Sequence, residues 1–211
     1  MSTRPTRVVD AHVHLWDPAR ADWYPYLSGG RDLGLGDTSG MARRFDVATH
    51  RAEAAAWPVT ALVNVAAATG PRCVAETLEL DRRAASDPDS DGQPAAIVGG
   101  LPPGSVAEVV AAVDAQMAAD RFRGVRPMGA GADPLPPPEV LRALAERHLV
   151  LEVMAHPDQL TAVARGLEGH DDLVVVVEHT GWPRADSPEE RSLWAEGMAA
   201  LAAVGPHVHC K

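Results

Sequence analysis

The sequence predicts an α/β protein, a (β/α)8 TIM barrel that lacks its final unit, and three observations carry that expectation. Short β-branched apolar runs alternate with longer amphipathic, alanine-rich stretches, the pattern of repeated βα units on a parallel sheet. Seven runs of the first kind alternate with six of the second. Polar residues collect at the C-terminal ends of the runs, where barrels of this kind build their active sites. A complete barrel takes about 250 residues. This chain has 211 and reaches Lys211 just inside its seventh run, so residues 1–211 are expected to form one domain, truncated at the C-terminus. An open doubly wound sheet is the alternative. Its nucleotide-binding form needs a glycine-rich turn after the first strand, and His14-Leu15-Trp16-Asp17-Pro18 stands there instead.

The predicted strands are residues 7–13, 59–66, 95–99, 122–126, 149–154 and 173–178, with the last from His207 onward. Helices are expected near 52–56 and over 72–85, 105–119, 138–147, 157–167 and 188–203. Pro157-Asp158 and Ser187-Pro188-Glu189-Glu190 put proline and acidic side chains where a first turn has unpaired N–H groups and a positive dipole end. Residues 17–44 break the rhythm, with Trp16, Trp23, Tyr24 and Tyr26 among glycines and prolines. Such a loop either walls a substrate pocket as a lid, with Trp16 and Tyr24 against the substrate, or packs on the barrel rim. Residues 87–94 read as a solvated connector and 129–138 as a rigid Gly/Pro loop.

Composition narrows the function classes. The chain is 46% hydrophobic and 23% charged, ordinary for a globular protein. A formal charge of −10 argues against nucleic acid or an anionic membrane surface as partner, while small anions remain admissible because a pocket's local field outweighs the global sum. The two cysteines, Cys73 and Cys210, form no spacing pattern and no charged-then-apolar leader opens the chain, so a reduced, cytoplasmic protein is expected. No apolar run approaches the roughly 18 residues of a membrane span.

Asp10-Ala11-His12-Val13-His14 closes the first predicted strand. Side chains alternate across a strand, so His12 and His14 emerge on one face about 7 Å apart. Paired imidazoles there suit a divalent metal or proton transfer, although two polar residues on a half-exposed edge would look the same. Arg126 ends the fourth strand, with a planar donor fork for a carboxylate or a carbonyl gaining negative charge; a structural ion pair is the alternative. His156, before Pro157, is a ligand or a helix-entry residue. His179 ends the sixth strand after the all-apolar Val174 to Val177, where a solvated face is hard to sustain; a hydrogen-bonded core histidine is the alternative. Glu152 shares the parity of His156 and is expected to face inward two layers deeper, where it needs a partner such as a histidine or arginine.

Four ordered motifs carry a family resemblance. Val9-Asp10-Ala11-His12-Val13-His14-Leu15-Trp16-Asp17-Pro18, Phe122-Arg123-Gly124-Val125-Arg126, His156-Pro157-Asp158-Gln159-Leu160 and Glu178-His179-Thr180-Gly181-Trp182-Pro183 resemble the amidohydrolase-related TIM-barrel hydrolases. The similar branch holds sugar lactonases and the 2-pyrone-4,6-dicarboxylate lactonase. The resemblance implies hydrolysis of a lactone, with a small-molecule substrate and a divalent ion, zinc first; some lactonases of the branch work without metal. It implies His12, His14 and His156 as metal ligands, His179 in polarisation or proton transfer, and Arg126 orienting substrate. A homo-oligomer is compatible with it. Two readings stand beside it: a zinc-dependent decarboxylase using the same histidines, and a truncated, inactive fragment. The family places a catalytic aspartate after its eighth strand, for which Asp10, a layer below the histidines, is no obvious substitute. Asn64 and Ala67 stand where a more polar pattern is expected.

Overall fold

The computed structural model describes residues 5–27, 37, 39–127 and 133–211. Parts of the expected lid at 17–44 and of the loop at 129–138 lie outside the described residues. Seven strands form one sheet in chain order: β1 (Val8–Val13), β2 (Val59–Val65), β3 (Ala96–Leu101), β4 (Phe122–Pro127), β5 (Val150–Val153), β6 (Val175–Val177) and β7 (Val208–Cys210). Every neighbouring pair is parallel. Parallel neighbours need a crossover between them, and the helices supply it. They are α1 (Val47–Glu53), α2 (Arg72–Ser86), α3 (Val106–Gln116), α4 (Pro138–Glu146), α5 (Pro157–Gly166) and α6 (Pro188–Val204). Unit by unit this is the order of a (β/α)8 barrel, of which the described residues hold seven strands and six α-helices.

The helix starts follow local chemistry. Ser105 and Glu108 form a capping box at α3, and the Ser187 side chain accepts from Glu190 N at 3.1 Å. Proline occupies the first turn of α4, α5 and α6, where its missing N–H costs nothing. The first helix departs from expectation. It starts at Val47, not near residue 52, because the Asp46 carboxylate accepts from Thr49 N at 2.9 Å and sets the N-terminus earlier.

Burial is uneven across the sheet. Leu141, Leu144, Leu151, Leu160, Leu173 and Val175 are all 1% exposed or less and belong to one continuous core beneath α3 to α6. Beside β1 and β2 the apolar packing splits into two smaller groups, one around Val13, Leu15, Leu62 and Ile97 and one around Tyr24, Leu27, Ala67 and Ala68. Among the described residues no helix is long and apolar enough to cross a membrane.

Candidate active site

Strand register decides which side chains meet. Glu152 on β5 lies opposite Val176 on β6, and Val176 opposite His209 on β7, so these positions share one face of the sheet. Glu178, two residues beyond Val176, continues on that face. It is fully buried, and its Oε2 accepts from Arg126 Nη1 at 3.1 Å. A second Arg126 nitrogen donates to the carbonyl of Ala66. The expected substrate-orienting arginine is thus a buried partner of Glu178, the ion-pair alternative for that position. Glu152 has the partner its burial calls for: Lys211, whose Nζ lies 2.6 Å from Glu152 Oε1 and 2.9 Å from the carbonyl of Ala11 on β1.

His179 arrives by a different route. Residues His179, Thr180, Gly181 and Trp182 are left-handed, at φ 52°, 52°, 76° and 36°. For residues other than glycine this conformation costs of order 1 kcal/mol or more each, so surrounding bonds must hold it. Thr180 N donates to Lys211 O at 2.9 Å, and Trp194 Nε1 donates to Thr180 O at 2.7 Å. The turn brings the half-exposed His179 ring to 4.9 Å from the His12 ring, centroid to centroid, and His179 Nε2 to 3.7 Å from Glu178 Oε2.

On the β1 side, His14 Nδ1 sits 2.7 Å from the carbonyl of Val65. A carbonyl only accepts, so Nδ1 carries the proton and Nε2 of neutral His14 is a lone pair. That lone pair faces His12 Nε2 at 3.3 Å. The His14 ring also stacks on Trp16, with centroids 5.5 Å apart. Tyr24 is elsewhere: it is 3% exposed and its hydroxyl donates to Glu76 Oε1 at 2.9 Å, behind the loop that follows β2.

Charge distribution follows from burial. Burial lowers the His12 pKa to about 3, reinforced by His14 and Lys211 against the pull of Glu178. Burial and then Arg126 lower His14 to about 4. His179 is lowered as well, chiefly by burial. All three imidazoles are neutral at physiological pH. Burial opposes the charge on Glu178, yet Arg126, a hydrogen bond with Glu152 and His12 hold its carboxyl below the ordinary range. Burial pushes Glu152 up to about 7, aided by that same hydrogen bond with Glu178 and opposed by Lys211.

Neutral imidazoles beside an ionised carboxylate are the donor set of a divalent-metal site. Among the described residues, His12, Glu178 and His179 form the one group of three such side chains whose ligand atoms all lie within 4.8 Å of one another. The His12–His14 nitrogen spacing of 3.3 Å is also what two nitrogens about 2.0–2.1 Å from a shared tetrahedral zinc would show. The residues present therefore fit such an ion, with His14 held by a carbonyl on its far nitrogen as outer-shell partners hold metal-bound histidines.

Of the expected metal ligands His12, His14 and His156, His12 belongs to that group, His14 faces His12, and His156 is not among the three. His156 leads into α5, and its Nδ1 lies 3.3 Å from the Trp182 carbonyl. Trp182 touches both His156 and His179 edge-on, with centroids 5.5 and 4.8 Å apart. Glu178 and Lys211 were missed as site residues. Four consecutive valines show no polar–apolar alternation to reveal which face of β6 points inward, and Lys211 finds Glu152 only through the sheet.

The family model for amidohydrolases matches residues 9–211. The chain belongs to the amidohydrolase family. No curated protein matches it in sequence. Two solved amidohydrolase structures share its fold over nearly all its length. One, described as amidohydrolase 2 from Bifidobacterium longum subsp. infantis, is 21% identical, with a TM-score of 0.67 over 98% of this chain and 72% of that one. The other, from Burkholderia multivorans with bound zinc, is 24% identical, with a TM-score of 0.71 over 96% and 68%. A protein named as a 2-pyrone-4,6-dicarboxylic acid hydrolase from Pseudomonas putida is 15% identical, with a TM-score of 0.56 over 96% and 80%. In this amidohydrolase the converging groups sit at the C-terminal strand ends, the side of the barrel where such enzymes work.

Proposed function

We propose that this amidohydrolase opens the ring of a lactone, and that the substrate is a neutral polyhydroxylated lactone rather than a dicarboxylate. The convergence of His12, Glu178 and His179, with His14 beside them, carries the reading. A lactone is a cyclic ester, so opening it requires an activated water, polarisation of the carbonyl and a proton for the departing ring oxygen. A divalent ion held by His12, Glu178 and His179, or by the His12–His14 pair, would polarise the carbonyl and lower the pKa of a bound water from 15.7 toward about 7.

The chain's own groups supply the setting. Arg126 holds Glu178 ionised and turned toward the histidines. Lys211 and Glu152 tie the end of β7 to the interior and to Ala11. Trp182 packs against the His179 ring and limits its rotation, while Trp16 offers an aromatic face beside His14 for the flat ester of a bound ring. The choice of a neutral substrate rests on charge. Arg126 and Lys211 are each matched by a buried glutamate, so neither brings an unbalanced positive charge to two substrate carboxylates. The name of the Pseudomonas putida protein supports ester-ring opening on this fold, and the zinc in the Burkholderia multivorans structure supports a metal of that kind.

A panel of five- and six-membered aldonolactones and pyrone lactones, followed by acid release with and without added zinc, tests this reading. Turnover of a sugar lactone and its loss after chelation are expected. Release of carbon dioxide from an unsaturated acid, with no lactone opened, would overturn it in favour of a decarboxylase. His179→Ala should lower turnover by orders of magnitude, and unchanged turnover would remove His179 from the mechanism.

A further inference from the structure

The loop that follows β2 looks unremarkable in sequence, yet its backbone touches both halves of the mouth. The Val65 carbonyl receives His14 Nδ1 at 2.7 Å, and the Ala66 carbonyl receives Arg126, the partner of Glu178. The next carbonyl, of Ala67, receives the Tyr26 hydroxyl at 2.8 Å. Val65, Ala66, Ala67 and Ala68 are at most 1% exposed, so none of their polar groups can turn to water. Their placement depends on what satisfies the amides beyond the strand end.

One side chain does so. Glu76, on α2 and 2% exposed, accepts from Ala68 N at 3.0 Å on Oε1 and from Ala67 N at 3.1 Å on Oε2. Oε1 also accepts the Tyr24 hydroxyl at 2.9 Å, which ties the segment after β1 to the same carboxyl. Thr69 N donates to Trp23 O at 3.0 Å and closes the clamp. Ala67, which broke the expected polar pattern, needs no polar side chain because its backbone makes the contacts.

We infer that Glu76 is a positioning residue for the active site: by holding the Ala67 and Ala68 amides it fixes the Val65 and Ala66 carbonyls, which orient His14 and Arg126. Glu76 is not among the converging groups and reaches them through the backbone of the loop. Small displacements of catalytic groups are costly, a misplacement of about 1 Å being worth up to about a hundredfold in rate.

The test compares the wild-type chain with Glu76→Leu, which removes every acceptor, and Glu76→Gln, which keeps one oxygen. The first readout needs no substrate: two-bond proton–nitrogen spectra of the His14 ring at neutral pH. In the wild type His14 is expected as a single Nδ1–H tautomer; Glu76→Leu should give a mixture, and Glu76→Gln should restore most of the wild-type pattern. The second readout rests on the lactone-opening proposal and uses the aldonolactone turned over fastest. Glu76→Leu should lower kcat about tenfold or more with KM changed far less, since substrate contacts stay in place. If Glu76→Leu does not fold, Glu76→Gln decides, with a smaller shift of the His14 signals in the same direction expected. A folded variant with wild-type His14 signals and wild-type kcat overturns the inference. If no lactone is opened by any of the proteins, the functional reading fails while the ring spectra still decide the role of Glu76.

Discussion

The two halves of the mouth are held by different forces. On the β4–β7 side the side chains hold one another by charge: Arg126 with Glu178, Lys211 with Glu152, each glutamate at most 5% exposed. On the β1–β2 side the imidazoles are neutral, and the backbone holds them through the Val65 carbonyl and the loop clamped by Glu76. The difference sets what each half can lose. A buried ion pair stripped of one member leaves a charge that neither water nor protein satisfies, so stability and activity fall together. A neutral imidazole carries no such penalty, and its removal costs function first.

The largest expected effect comes from breaking the charged half. Glu178→Leu should destabilise the protein by about 3–5 kcal/mol in urea unfolding, because Arg126 stays buried beside an apolar side chain. Combining it with Arg126→Met should recover most of that loss, since an apolar pair of similar volume avoids the desolvation penalty, while activity stays absent. A double variant as unstable as the single one would show that packing, and not charge, governs this side.

His12→Ala sharpens the contrast. It should cost about 1 kcal/mol of stability, an ordinary figure for a part-buried substitution, yet abolish zinc binding read by equilibrium dialysis. A loss of stability as large as that of Glu178→Leu would erase the distinction between the halves.

The smallest effect is a pH slope. Burial pushes the Glu76 carboxyl up to about 7 from an ordinary 4.5, partly offset by the Ala68 and Ala67 amides. Its folded-state pKa lies above the unfolded one, so its contribution is complete below about 4.5 and declines as pH rises through about 7. Glu76→Gln cannot ionise, and its stability between about pH 5 and pH 8 should fall less steeply than that of the wild type, measured by denaturant midpoints at each pH. Parallel slopes would remove the carboxyl from the pH dependence.

Much of this was legible in the chain. The strand and helix runs fall within a few residues of their expected places, the exception being the start of α1, where the Asp46 cap was overlooked. His12 and His14 could be set on one face because a single strand and its period of two decide that question. The site partners could not be read the same way. Glu152 needs a partner, such as a histidine or arginine, but nothing local says which, and the residue that meets it is Lys211, 59 residues further on.

What the sequence determined by itself is the alternation of βα units and the inward HxH pair, since both depend on hydrophobic period and neighbours a few residues apart. Only the tertiary structure decided that Glu178 faces the interior, that a left-handed turn swings His179 onto His12, and that Glu76 braces the loop carrying the Val65 and Ala66 carbonyls. Those outcomes depend on register between distant strands and on which buried charges find each other, and residues that become neighbours only on folding leave no local pattern to read.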